Sequence, residues 1–335
     1  MTLKDALQWQ DGFLEGYFST NKTYCRYSFF DINKPVVITF SMMGKYVESE
    51  NINALHDIWG HGFVAKKEIN VISFCCIDKA SWYLDSELAD LLGKLKKLLN
   101  SFPERLGYGG SMGGFGILAY YEILNLDRVL VMNPITTLDK DLVDFETRFK
   151  VHSSRLDWKF NYSDRASCQM NGYIVYDPLF ELDKLHAKRL KGLQELKLPG
   201  VGHFMPVHLA KLGILRWLFE SFYFNLSLKE DFYKKARKRR QYPQYYSWLK
   251  SQENKYLTPR RNKIINLHQQ ILKLKLGSVE TVPRGAVNKV RDYAISLEDV
   301  DIDISLQVMK LAKDLRPHGQ YISKKIRDYE VRCKT

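Results

Sequence analysis

The segment Gly107-Tyr108-Gly109-Gly110-Ser111-Met112-Gly113-Gly114 constrains this chain more than any other. It holds the pattern Gly109-x-Ser111-x-Gly113, preceded by the short stretch Arg105-Leu-Gly-Tyr108 and followed by Ile117, Leu118 and Tyr121 at helical spacing. A serine presented at the top of a sheet needs a very sharp strand-to-helix turn. Such a turn strains the backbone at the serine and lets strand and helix approach only where the flanking residues carry almost no side chain. It also sets the amide of the next residue, Met112, at a helix N-terminus, where it can donate to a developing oxyanion. The reading is a nucleophile on a strand–turn–helix, not a loose glycine-rich loop.

The surrounding pattern supplies the sheet that such a turn requires. Pro35–Ser41, Ile69–Cys76, Arg128–Met132, Gly172–Tyr176 and Leu193–Leu198 read as short strands. Helical stretches separate them, as a mostly parallel α/β sheet demands. Asn53–Gly60 reads as a helix. Asp85 is placed to cap a helix over Ser86–Asn100, with Leu88, Leu91, Leu92, Leu95, Leu98 and Leu99 on one face. Leu209–Phe224 reads as a closing amphipathic helix. The segment 135–171 is rich in charged and aromatic residues, and its pattern leaves open both a cap insertion over the active site and ordinary helices.

With a serine nucleophile, strands in this order and glycines at these positions, residues 20–222 resemble the α/β-hydrolase superfamily. The resemblance implies an α/β-hydrolase fold, a mostly parallel sheet with helices on both faces, and partners in the chain order serine, acid, histidine. Asp177, directly after the strand Gly172–Tyr176, is the expected acid, with Asp183 of the same loop as the alternative. A turn aspartate before Pro178 would look the same. His203, in Leu198-Pro-Gly-Val-Gly-His203-Phe204, is the expected base. The loop Ser41-Met42-Met43-Gly44 stands where the second oxyanion donor is expected, and Met42 is its candidate. That loop departs from the HGGG form of many lipases and esterases. The elbow is also similar to those of bacterial hydrolase-like proteins associated with capsule and surface-glycan synthesis.

Charge divides the chain in two. Of a net +13, residues 221–335 carry all: 25 Lys and Arg against 12 Asp and Glu. The expected organisation is a catalytic domain over 1–222 and a basic, all-helical C-terminal appendage over 223–335. Helices are expected at Glu230–Arg240, Gln244–Lys255, Asn262–Leu276, Val287–Ser296, Ile304–Leu315 and Ile322–Arg332. Lys234, Lys235, Arg237, Lys238, Arg239 and Arg240, close to Tyr245 and Tyr246, form a candidate surface for an anionic partner, such as an acidic glycan or an anionic membrane face. A solvated helix face is the bland reading. No nucleic-acid motif appears.

The five cysteines form no CxxC pair, no apolar run of about 18 residues is present, and the first residues are charged. The expectation is a cytoplasmic chain with reduced thiols, no metal and no cofactor, with a peripheral place at the inner membrane face as the alternative. Three functions follow from these residues. The first is an esterase acting through an acyl-enzyme. The second is an O-acetyltransferase of a capsular or surface polysaccharide, with acetyl-CoA as donor substrate. The third is a non-catalytic hydrolase-like binding module.

Overall fold

The computed structural model describes residues 3–77, 79, 81–241, 243–251, 258–276 and 284–333. They fall into two compact units, Met1–Arg237 and Lys238–Thr335.

The first unit is built on nine strands: β1 (Leu14–Ser19), β2 (Thr23–Phe29), β3 (Val36–Phe40), β4 (Tyr46–Val47), β5 (Asn70–Ile77), β6 (Arg105–Gly110), β7 (Arg128–Met132), β8 (Gly172–Tyr176) and β9 (Gln194–Lys197). Their order is β1-β2-β5-β3-β6-β7-β8-β9, with β4 paired beside β5. β2 is antiparallel to both its neighbours, and β5 to β9 and β3 run parallel. The chain goes from β3 outward to β5 and returns on the other side of β3 as β6. A crevice therefore opens at the carboxyl ends of β3 and β6, where the strand order reverses. Both the loop after β3 and the turn after β6 end there.

The inner parallel strands β3, β5 and β7 have every residue buried, which is why they read as largely apolar runs. On one face the helix Ser86–Leu99 buries the six expected leucines, and Asp85 caps it by accepting from the Glu87 amide. On the other face Tyr108 stacks on Trp59 at 5.2 Å and meets Phe219 edge-on at 5.1 Å.

Two expectations need correction. Asn53–Gly60 is not a helix: the Tyr17 and Tyr24 hydroxyls and the Arg26 guanidinium donate to the carbonyls of Asn53, Ala54 and His56. Those carbonyls are held by strand side chains instead of the i+4 amides of a helix. A helix follows at His61–Ala65. The closing helix is two helices, Met205–Lys211 and Leu215–Tyr223, parted at Gly213 (φ +68°), where the Ile214 amide closes back on the Leu209 carbonyl at 2.8 Å. The segment 135–171 holds one short helix, Lys150–Arg155, in otherwise irregular chain, and not a row of helices.

The second unit is helical. It comprises Pro243–Ser251, Pro259–Leu276, Arg284–Ile295, Ile302–Leu315 and Gln320–Arg332. Val290, Ala294, Val308, Met309, Ala312, Ile322 and Tyr329 form its apolar centre. Asp301 caps the helix Ile302–Leu315 by accepting from the Ile304 amide at 3.1 Å. The end of the expected helix Gln244–Lys255 lies outside the described residues. The division falls after Arg237, later than the charge pattern suggests. The helix Lys229–Ala236 goes with the first unit because Phe232 is fully buried and the Tyr233 hydroxyl accepts from the Lys197 amide of β9.

Candidate active site

Ser111, between β6 and the helix Met112–Ala119, has φ +51° and ψ −121°, a backbone conformation that L-residues rarely adopt. The glycines around it leave no space. A β-carbon on Gly113 would lie 2.0 Å from the Phe40 carbonyl oxygen, and one on Gly109 2.6 Å from the Gly113 carbonyl oxygen. The helix Met112–Ala119 is thus pressed against β3 and β6, and its N-terminus points into the crevice. The same contact puts the Ser41–Met42 peptide beside that N-terminus, since the Ser41 carbonyl carbon lies 3.3 Å from the same position on Gly113. Among the described residues, the amides of Met42 and Met112 donate to no protein acceptor. These two amides are the expected oxyanion donors.

His203 comes from the loop after β9. Its Nε2 lies 2.9 Å from Ser111 Oγ. Its Nδ1 lies 2.9 Å from both carboxylate oxygens of Asp183, a fully buried side chain in the first turn of the helix Glu181–Arg189. The structure brings Ser111, His203 and Asp183 together, and it does not put Asp177 on His203.

The expectation for Asp177 is corrected by its own partners. Asp177 Oδ2 accepts from the amides of Gly200, Val201 and Gly202 at 3.0, 2.8 and 2.7 Å, and Oδ1 accepts from Leu179 at 2.9 Å. Its carboxylate is used up in folding the loop that carries His203. Burial pushes its pKa up, and the amide hydrogen bonds hold it back. Asp177 shapes the histidine loop; Asp183 touches the histidine.

Two further charged residues reach the site, and both come from the segment 135–171. Arg148 Nη1 lies 3.1 Å from Asp183 Oδ1 and 3.0 Å from His203 Nδ1. Its Nε and Nη2 clasp the Glu146 carboxylate at 3.0 and 2.6 Å. Glu146 is fully buried and also accepts from His186 Nε2 at 3.0 Å, and His186 Nδ1 meets Thr136 Oγ1 at 2.8 Å. Phe149 and Phe180 cover the guanidinium, with ring centroids 5.4 and 5.3 Å away. Phe149 itself is left-handed (φ +56°, ψ +28°), a strained turn that directs Arg148 to the site. Burial alone would raise the Glu146 pKa; the bonds from His186 and Arg148 and the guanidinium charge reverse this and bring it to about 2. Burial pushes the His186 pKa down. Asn133, immediately after β7, places Nδ2 3.1 Å from His203 Nδ1, and its Oδ1 is buried without a hydrogen-bond partner. Neither Arg148 nor Glu146 stands out in sequence, because no periodicity or motif marks the segment.

A strand order with one antiparallel edge, a strained serine between β6 and its helix, and a serine–histidine–aspartate chain decide the fold. The protein has the α/β-hydrolase fold. No protein-family model matches the sequence, and no curated protein does. Solved structures with this fold are similar over most of their length. The capsule O-acetyltransferase of Neisseria meningitidis serogroup A is 14% identical, with TM-score 0.44, covering 62% of this chain and 93% of that one. Est1E from Butyrivibrio proteoclasticus is 11% identical, with TM-score 0.39, over 62% of this chain and 98% of that one. The carboxylesterase EstE1, cloned from a metagenomic library, is 15% identical, with TM-score 0.42, over 67% and 93%.

The basic run lies away from this chemistry in the chain and spans the division between the units. Lys234 pairs with Asp231 at 3.0 Å, Lys235 Nζ sits 4.9 Å from the centroid of Trp217, and Arg239 lies over Tyr245 at 5.3 Å. Arg237, Lys238 and Arg240 are exposed. Among the described residues there is no cluster of metal-ligating side chains, and no helix is long and apolar enough to cross a membrane.

Proposed function

We propose that this protein is a serine enzyme that transfers acyl groups through an acyl-enzyme on Ser111, with water as the acceptor in its basic reaction: an esterase. The observation that carries this reading is the unbroken chain from Ser111 Oγ through His203 to Asp183, with both bonds at 2.9 Å. Ser111 Oγ attacks the carbonyl of an ester or thioester, and His203 Nε2 takes its proton. Asp183 holds the proton on Nδ1 and stabilises the imidazolium. The amides of Met112 and Met42 receive the oxyanion. As the tetrahedral adduct collapses, His203 returns the proton to the departing alcohol or thiol. Water then repeats the cycle and frees the acid.

A second reading, transfer to a sugar hydroxyl, rests on a groove of about 730 Å³ lined by Trp59, Lys45, Lys66, Lys67, Arg216 and Pro206. Pro206 packs on Gly110, the residue before the nucleophile, so one end of this groove abuts the elbow. An aromatic ring with cations around it suits an anionic sugar or a phosphate-bearing donor such as acetyl-CoA. The exposed cations Arg237, Lys238 and Arg240 would serve an anionic glycan or membrane partner of a cytoplasmic enzyme.

The test is p-nitrophenyl acetate turnover by wild type and Ser111→Ala, each with and without an acidic oligosaccharide. Ser111-dependent release indifferent to the sugar supports the esterase. Faster release with acetyl appearing on the sugar supports the transferase. Release that is equal in both proteins refutes catalysis by Ser111 and leaves a binding module.

A further inference from the structure

The Glu146–Arg148 pair has no counterpart in the serine–histidine–aspartate chemistry just described, yet it is bonded directly to it. Two carboxylates hold Arg148: its Nε and Nη2 donate to Glu146, and its Nη1 donates to Asp183. Two phenylalanine rings, Phe149 and Phe180, lie against its guanidinium. A guanidinium held in this way is fixed between two buried carboxylates, one of which is the acid of the triad.

Its effect on the histidine has two parts of opposite sign. By donating to Asp183 Oδ1, Arg148 fixes the carboxylate that must hold the Nδ1 proton. By standing 3.0 Å from Nδ1, its charge opposes the imidazolium that forms when Ser111 gives up its proton. Glu146, clasped on the far side of the guanidinium, offsets that opposition. The groups in mutual contact carry Asp183 (−), Arg148 (+) and Glu146 (−), while burial keeps His186 neutral. This chain holds one net negative charge before the reaction and none once His203 is protonated.

We propose that Arg148 and Glu146 act together as a positioning and charge-balancing pair for His203: Arg148 locks Asp183, and Glu146 supplies the negative charge that makes the buried site accept the imidazolium. This rests on the serine-enzyme reading above. The charged and titratable groups around His203 are Asp183 and His186 from the helix Glu181–Arg189, Arg148 and Glu146 from the segment 135–171, and Asp177 beneath its loop. Arg189, paired with Asp164, donates to the Thr136 hydroxyl.

The experiment is the pH dependence of Ser111 labelling by an alkyl fluorophosphonate, which reads nucleophile activation whatever the natural acyl group is. In that reaction Oγ bonds to phosphorus, fluoride leaves, and the proton goes to His203. The full-length wild type is compared with Ser111→Ala, Arg148→Met, Glu146→Gln and the double variant. Removing the positive charge in Arg148→Met moves the acid limb of the rate profile up by about one pH unit. Removing the more distant negative charge in Glu146→Gln moves it down by less, and slows labelling at pH 7.5 by about 10-fold. The double variant again carries one negative charge, so its limb returns toward the wild-type position. It also keeps the proposal testable where Arg148→Met, with two buried carboxylates left facing each other, fails to fold. Damage to packing alone would move all three profiles the same way or not at all. Labelling abolished in Ser111→Ala but with unmoved limbs in the other variants overturns this inference only. A wild type that does not label overturns the serine reading and this inference with it.

Discussion

Replacing Asp183 by Asn keeps shape and volume while removing the charge from His203, and the structure fixes what the amide does there. Oδ1 of residue 183 lies 3.1 Å from Arg148 Nη1, a donor, so the carbonyl oxygen of Asn stays on that side. The amide nitrogen then takes the place of Oδ2, 2.9 Å from His203 Nδ1, and donates to it. With the charge gone and an N–H facing Nδ1, the tautomer in which Nδ1 accepts is favoured over the one that donates to Oδ1, also 2.9 Å away, and it puts the ring proton on Nε2, facing Ser111 Oγ at 2.9 Å. A histidine in that tautomer cannot take the serine proton. The expected loss in kcat is about 10⁴-fold, or roughly 5.5 kcal/mol of transition-state stabilisation. The matching change at the sequence-favoured acid, Asp177→Asn, behaves differently. Its oxygen can still accept from Gly200, Val201 and Gly202, but its NH2 faces the Leu179 amide, donor against donor. The loss of charge-assisted bonds is expected to lower stability by about 1–3 kcal/mol and to leave kcat of the folded protein within about ten-fold of wild type. Steady-state hydrolysis of p-nitrophenyl acetate gives the kinetics, and thermal denaturation followed by circular dichroism gives the stability. A 10⁴-fold loss in Asp177→Asn at unchanged Tm, with Asp183→Asn within ten-fold of wild type, would refute the assignment of the two carboxylates.

Gly113→Ala is expected to prevent folding of the first unit, because the new methyl would lie 2.0 Å from the backbone oxygen of Phe40; a soluble variant with wild-type Tm contradicts the close approach. Glu146 is depressed from the usual 4.5 to about 2 in the folded chain, so its contribution is complete above pH 4.5 and is lost as pH falls from there to about 2. Unfolding free energies from urea titrations across that range should fall for wild type by an amount on the order of 3 kcal/mol more than for Glu146→Gln, and parallel curves contradict it. Met309→Ala, at a fully buried position in the helical unit, is expected to destabilise that unit by about 2–5 kcal/mol. Hydrogen exchange should report the opening within residues 284–333 while the strands β3, β5 and β6 stay protected; uniform loss of protection would show the units to unfold as one.

What the sequence determined was whatever short-range geometry dictates. Gly109, Gly110, Ser111 and Gly113 permit one kind of turn, and that turn needs a strand before it and a helix after it. The leucines of Ser86–Leu99 and the cap at Asp85 are likewise local, as are the helices of the second unit, whose spacing and stops lie within a few residues of each other. Strands β1 and β2 were less legible. Leu14–Ser19 is mostly half-buried, and β2 buries nearly every position, including Thr23 and Ser28, so neither shows clean alternation or a plain apolar run.

The tertiary structure alone decided which carboxylate faces the histidine. Asp177 and Asp183 are six residues apart, and nothing local separates them. The choice depends on where the helix Glu181–Arg189 starts and on three amides, from Gly200 to Gly202, that converge on Asp177 from another part of the chain. Arg148 and Glu146 were invisible for the same reason. Their role comes from buried charges brought together across 35 to 55 residues of chain, and electrostatics acts through space, whereas sequence patterns record only what neighbours along the chain must do.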